Sequence, residues 1–98
     1  MKSNYKVFLD ENKEILEYIK DNDLMDLIEE ADSTAKEYAD AEGPQFLHSY
    51  RYSQVYDILN CDNRGTKAIA ITKLLENSYD KNISELVNDS FDSTMEMI

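Results

Sequence analysis

Apolar residues recur along this chain with a helical rather than an alternating period. Tyr5, Phe8, Leu9, Ile15, Leu16 and Ile19 share one face, Asn12 fills the one slot where an apolar residue is missing, and Ser3 or Asn4 is available as an N-cap. The spacing predicts a first helix over about residues 4 to 20. Asp21, Asn22 and Asp23 form a capping cluster, after which Leu24, Leu27, Ile28, Ala31, Ala35, Tyr38 and Ala39 return at three- and four-residue steps. Gly43 and Pro44 end this second helix, glycine as a left-handed terminus and proline as a barrier to continuation. Gln45 to Asn60 reads as a third helix, with Tyr52, Val55, Tyr56 and Leu59 on one face and Leu47, Tyr50 and Ile58 on the other. A helix apolar all round is expected near the centre of the fold. Asp62-Asn63-Arg64-Gly65 reads as a turn and Thr66 as the cap of a fourth helix carrying Ala68, Ile69, Ile71, Thr72, Leu74, Leu75 and Tyr79. Asn82 with Glu85 three residues on is a capping-box variant. It opens a fifth helix with Ile83, Leu86, Val87 and Phe91 on one stripe, its end left open as far as Ile98.

The expected fold class is therefore all-α, a compact bundle of about five short helices with no sheet. Length and composition agree. Ninety-eight residues leave no room for a second core, so residues 1–98 are expected to form a single helical domain. Two glycines and one proline are too few turn formers for a many-stranded sandwich or barrel. Apolar residues make up 42% of the chain, enough for a packed interior despite the acidity.

Charge changes the picture more. Ten basic residues against 21 acidic ones give a net charge of -11. That excludes a protein that grips nucleic acid or anionic membrane through its own positive surface. Charge returns at Asp10 and Glu11 directly after Val7-Phe8-Leu9, and the apolar patch from Ala68 to Leu75 is broken by Thr72 and Lys73. Neither a secretory leader nor a membrane span is expected, which makes the cytoplasm the expected location.

Candidate chemistry is sparse. No phosphate loop, zinc-protease motif or serine elbow is present, and the lone Cys61 and lone His48 make neither a disulfide nor a Cys/His zinc site. Thirteen residues separate those two, about 20 Å along a straight helix, so they form no dyad there. His48, on the Tyr52 side, is expected to be a partly buried packing residue, and Cys61 a small apolar residue near a helix end. The turn from Asn60 starts like a calcium loop, but Arg64 and Ile71 stand where ligands belong. We expect no enzyme, hence no catalytic residue, and no cofactor or metal.

The distribution of charge is what rises above background. Residues 1–44 hold thirteen acids against five lysines, and residues 21–42 hold nine acids with Lys36 as their single base. At about 100° per residue, Asp26, Glu29, Glu30, Glu37 and Asp40 fall within a sector of roughly 100° opposite the apolar stripe. Any amphipathic helix must turn something polar outward, but a face meant for solubility usually mixes signs into i,i+4 pairs. This one accepts like-charge repulsion, which a basic partner would relieve. Beside it, Tyr50-Arg51-Tyr52 and Tyr56 form a tyrosine cluster, from which Tyr50 and Arg51 are the expected exposed anchors.

In size, acidity and helical pattern the whole chain resembles the immunity proteins that bacteria pair with nuclease toxins, including those of contact-dependent growth inhibition, although it shares no motif with them. The resemblance implies an inhibitor that neutralises a basic protein partner, a nuclease toxin, by covering its substrate groove. Asp26, Glu29, Glu30, Glu37, Asp40, Tyr50 and Arg51 are the partner-binding candidates from the residue pattern. Two alternatives stay open: a phage-type DNA mimic acting on a restriction or defence complex, and a structural or regulatory helical module whose acidity serves solubility.

Overall fold

In the computed structural model, which describes residues 3–96 and side chains as far as residue 91, the expected first helix is two helices. They are α1 (Asn4–Glu11) and α2 (Lys13–Asp21). Ser3 caps α1, its Oγ accepting from the Lys6 N–H at 3.1 Å. The break falls at Asn12, whose side-chain amide donates to the Phe8 carbonyl at 2.8 Å, the acceptor its own backbone N–H also uses. A short polar side chain that competes for backbone partners is what loosens a helix there. Leu16 N–H still reaches the Asn12 carbonyl, so the apolar stripe continues and buries Leu9, Leu16 and Ile19.

Asp21-Asn22-Asp23 ends α2 rather than capping the next helix. Asp23 adopts φ 55, its N–H bonds to the Lys20 carbonyl, and Leu24 N–H bonds to the Ile19 carbonyl at 3.0 Å. That pair of bonds is a Schellman motif with aspartate in the left-handed position, and Leu24 and Ile19 supply its apolar contact in the core. No side chain caps α3 (Met25–Glu42). Its buried stripe is Ile28, Ala31, Ala35 and Ala39, while Leu27 and Tyr38, at the edge of the predicted stripe, are exposed.

Gly43, at φ 140, takes the chain out of α3 into a short 3₁₀ turn over Pro44–Phe46 and then α4 (Leu47–Ile58). The predicted helix over Gln45 to Asn60 is thus shorter at both ends. It is sandwiched between α3 and α5 (Arg64–Glu76) as expected, yet little of it is enclosed. Val55 is the buried residue of α4, whereas α5 buries Ala68, Ile71, Thr72, Leu74 and Leu75. The apolar count of α4 comes largely from tyrosines, which stay half-buried because each keeps its hydroxyl near water. α5 starts at Arg64 instead of after Thr66, behind a left-handed Asn63. The Arg64 guanidinium closes this corner by donating to the Leu59 carbonyl at 3.3 Å and lying 4.3 Å from the Tyr56 ring centroid.

Tyr79, expected in the fourth helix, lies beyond its end. Tyr79 and Asp80 both have positive φ inside a turn closed by Lys81 N–H to the Ser78 carbonyl at 3.1 Å, the pattern of a type I′ turn. A tyrosine is strained there, and its ring is held against Tyr5 and Phe8 at centroid distances of 5.4 and 5.3 Å. Asn82 caps α6 (Ile83–Glu96) as expected, accepting from the Glu85 N–H at 2.9 Å. Met97 and Ile98, as far as which that helix was left open, lie outside the described residues.

The architecture is all-α, six helices and no strand among the described residues. None of these helices is long and apolar enough to cross a membrane. All six contribute to one core, in which Leu16, Ile19, Ile28, Ile71, Leu74, Ile83 and Leu86 are fully enclosed. The molecule is elongated, 47 × 27 × 20 Å. α3, α4 and α5 run antiparallel in succession, since Asp32 pairs with Arg51 and His48 with Glu76. α6 is tied to α1 by the Tyr5 hydroxyl, which donates to Asp89 at 2.5 Å.

Two stability tests follow from these local structures. Asp23→Gly should stabilise the fold by about 0.5 kcal/mol, because relief of left-handed strain outweighs the added unfolded-state entropy; an unchanged or lower denaturation midpoint would remove the strain argument. Burial and the hydrogen bond to Asp89 raise the Tyr5 pKa above its ordinary value. Its contribution is therefore fully present below about pH 10, the unfolded value, and lost as pH rises beyond it. Tyr5→Phe should cost about 1 kcal/mol at pH 7, and thermal melts of the two proteins should converge above pH 10.

Candidate functional site

The seven residues singled out for binding separate into those the fold uses internally and those it leaves outside. Glu29 is half-buried, and its carboxylate accepts from the Ser84 backbone N–H at 3.3 Å and the Ser84 hydroxyl at 3.1 Å. It sits at the first turn of α6, where orphan N–H groups and the helix dipole favour an anion. Arg51 is also engaged. Its Nε donates to Asp32 at 2.6 Å, and both side chains are largely enclosed, at 13% and 17% exposure. The expectation of Arg51 as an exposed anchor is corrected: a guanidinium beside a carboxylate in a low-dielectric corner is held by the fold.

Asp26, Glu30, Glu37 and Asp40 remain exposed. None of the four meets a cation among the described residues, for Lys36, the lysine of this helix, turns to Asp32 at 3.0 Å. From Asp26 to Asp40 the row covers about 21 Å at 1.5 Å per residue. Two structural costs accompany it. Charges three or four residues apart repel by a few tenths of a kcal/mol per pair. Asp40 and Glu42 also stand in the last turn of α3, against the dipole, with no basic residue in that turn.

Tyr50 lies where α4 meets the end of α3. Its hydroxyl donates to Glu42, and that bond, followed by burial and the Glu42 charge, raises its pKa. Its ring touches two others, Tyr38 at 5.5 Å and Phe46 at 6.4 Å between centroids. Tyr38 is 47% and Phe46 45% exposed. The sequence pattern had missed both, placing Tyr38 in the apolar stripe and giving Phe46 no role. The available signal was the position of Tyr38 at the edge of that stripe, next to an Ala-lined seam too narrow to enclose a ring. Tyr52 and Tyr56 instead pack against each other and the core.

On the other flank of α3 an open groove of about 1200 Å³ runs between α1, α3 and the turn before α6, with Val7, Phe8, Lys36, Lys73, Tyr79 and Lys81 among its walls. Its charges alternate in sign and several are paired, Lys36 with Asp32 and Lys81 with Asp89, so it presents no field of one sign. His48, expected to be partly buried, is exposed and pairs with Glu76. Cys61 packs against the core at the opposite end of α5, where its hydrogen bond with Tyr18, ahead of burial, pushes the Tyr18 hydroxyl up to about 12. The two are not brought together, and no group of His, Cys, Asp and Glu suited to a metal ion occurs among the described residues.

The chain matches no protein-family model, and no curated protein or solved structure matches it. The reading of the surface therefore rests on its own geometry.

Charge reversal separates the two classes of carboxylate. Glu30→Lys/Glu37→Lys/Asp40→Lys should fold normally and melt at the parent temperature or slightly above it, because repulsion and the dipole conflict are both relieved. Glu29→Lys alone should cost about 1 to 2 kcal/mol by placing an ammonium at the start of α6. Equal losses in the two variants, read by thermal denaturation, would contradict this division.

Proposed function

We propose that this protein is an inhibitor of the immunity type, which neutralises a basic protein partner, a nuclease toxin, by laying the outer face of α3 across its substrate groove. The observation that supports the reading is the row Asp26, Glu30, Glu37 and Asp40, exposed along one helix and unmatched by any cation among the described residues. The carboxylates stand as two pairs, Asp26 with Glu30 and Glu37 with Asp40, each one helical turn apart at about 5 to 6 Å between side-chain origins, a spacing comparable to that of phosphates along a strand, with about 10.5 Å along the axis between the pairs. A groove built to neutralise phosphates would meet this row with complementary potential, and the repulsion stored along α3 would be relieved on contact. Glu29 and Arg51 act within the fold in this reading, and Tyr50 supports the aromatic surface at the end of the row.

The test is capture from the source cells with the protein as bait, followed by kinetics with the captured partner. The association rate should fall steeply between low and physiological ionic strength, because opposite fields act mainly on encounter. Glu30→Lys/Glu37→Lys/Asp40→Lys should lose the partner while staying folded, and the parent should suppress nuclease activity. A folded reversal variant that binds as well as the parent, at a rate indifferent to salt, would return the acidic face to simple solvation.

A further inference from the structure

Tyr38, Phe46 and Tyr50 come from three consecutive elements, α3, the 3₁₀ turn and α4, and meet at the tip of the α3–α4 hairpin. Tyr38 and Phe46 are nearly half exposed, whereas every other ring except Tyr79 is at least partly enclosed. Four of the seven other rings carry a cation over the face. Lys20 lies over Phe91 at 3.8 Å, Arg64 over Tyr56 at 4.3 Å, Lys67 over Tyr18 at 5.0 Å and Lys81 over Tyr5 at 5.2 Å. Among the described residues no such cation lies over the hairpin trio, and α3 closes on Asp40 and Glu42 without a basic residue. Glu42 stands one turn on from Tyr38 and so on its side of α3, and Tyr50 occupies one of its carboxylate oxygens, which leaves the other for a further donor.

We infer that this hairpin tip receives an arginine side chain of a basic protein, its guanidinium stacked on Tyr38 and Phe46 and paired with Glu42 at the end of α3. The inference rests on the inhibitor reading for the sign of the partner and adds the chemistry of the anchor. Arginine fits better than lysine because a planar guanidinium presents its face to a ring and its edge donors to a carboxylate at the same time. An ammonium is more strongly hydrated and offers no flat face. The occupied tip also relieves the dipole conflict of the last turn of α3, which gives the contact a reason to be tighter than the exposed rings alone would make it.

The probes are nona-arginine and nona-lysine peptides, titrated into the full chain at low salt by calorimetry and by amide chemical shifts. The parent should bind nona-arginine several-fold tighter than nona-lysine, with the largest shifts over residues 37–50. Tyr38→Leu/Phe46→Leu keeps apolar bulk but removes the ring faces; it should weaken nona-arginine about tenfold and nona-lysine about twofold or less, while Tyr38→Phe keeps the preference. Asp26→Lys/Glu30→Lys, at the far end of the row, should weaken both peptides alike. Equal affinity for the two peptides, or shifts that avoid residues 37–50, overturns the arginine anchor. If Asp26→Lys/Glu30→Lys still weakens both in that event, the inhibitor reading stands without it. If neither peptide binds, or reversal of the row changes nothing, the acidic-face reading falls and the anchor with it.

Discussion

The arrangement of this molecule depends on the narrow seam between α3 and α4. Ala31, Ala35 and Ala39 are enclosed there, and residues without a side chain beyond Cβ let the second helix approach closely. Close approach has two consequences. It confines the buried part of α3 to a thin stripe, so most of the circumference of an eighteen-residue helix stays outside. It also leaves no depth at the edges of the seam, so groups too large to enter must lie across it. On one edge these are Asp32 and Arg51, which join the helices by an ion pair; on the other they are Tyr38 and Tyr50, which join them by ring contact.

The remaining helices brace that unit from the far side. α5 fills the interior beneath α4, and α6 reaches α1 through Tyr5 and Asp89 and α3 through Glu29 and Ser84. Nearly every connection is closed by a local device: the Schellman motif at Asp23, the Arg64 clasp on Leu59, the turn at Tyr79 and Asp80, the Asn82 cap. In a chain with two glycines, aspartate, asparagine and tyrosine take the left-handed positions glycine would otherwise fill. The strain is on the order of 1 kcal/mol at Asp and Asn, which visit that region more readily than other side chains, and larger at Tyr79, where ring packing against Tyr5 and Phe8 opposes it.

Electrostatically the fold sorts its carboxylates. Glu29, Asp32, Glu42, Glu76 and Asp89 each meet a donor within the chain. Asp26, Glu30, Glu37 and Asp40 are left to solvent on one face. These four carboxylates give that face of α3 a negative field, while Glu11, Glu14, Asp57 and Asp62 carry exposed acidity elsewhere. The aromatic trio at the end of the same helix adds apolar area to that field, the combination of steering charge and ring anchors that binding surfaces use.

Helix content, the span of α3, the caps at Ser3 and Asn82 and the outward placement of most of the acidic row were legible in the sequence, because each arises from neighbours a few residues apart. Periodicity places Asp26, Glu30, Glu37 and Asp40 opposite Ile28, Ala31, Ala35 and Ala39 whatever α3 packs against. What the row lost and the hairpin tip gained had no such local signature. Glu29 is withdrawn by Ser84, 55 residues away, and Arg51 by Asp32, 19 residues away. The break at Asn12 was also open, since an asparagine in a helical slot either points outward or takes the backbone acceptor, and the period alone does not choose. Tyr38 reads as core by spacing, yet the alanine seam is too shallow to enclose it. Local chemistry thus set the helices and their faces, while contacts distant in sequence decided which charges and rings remain exposed.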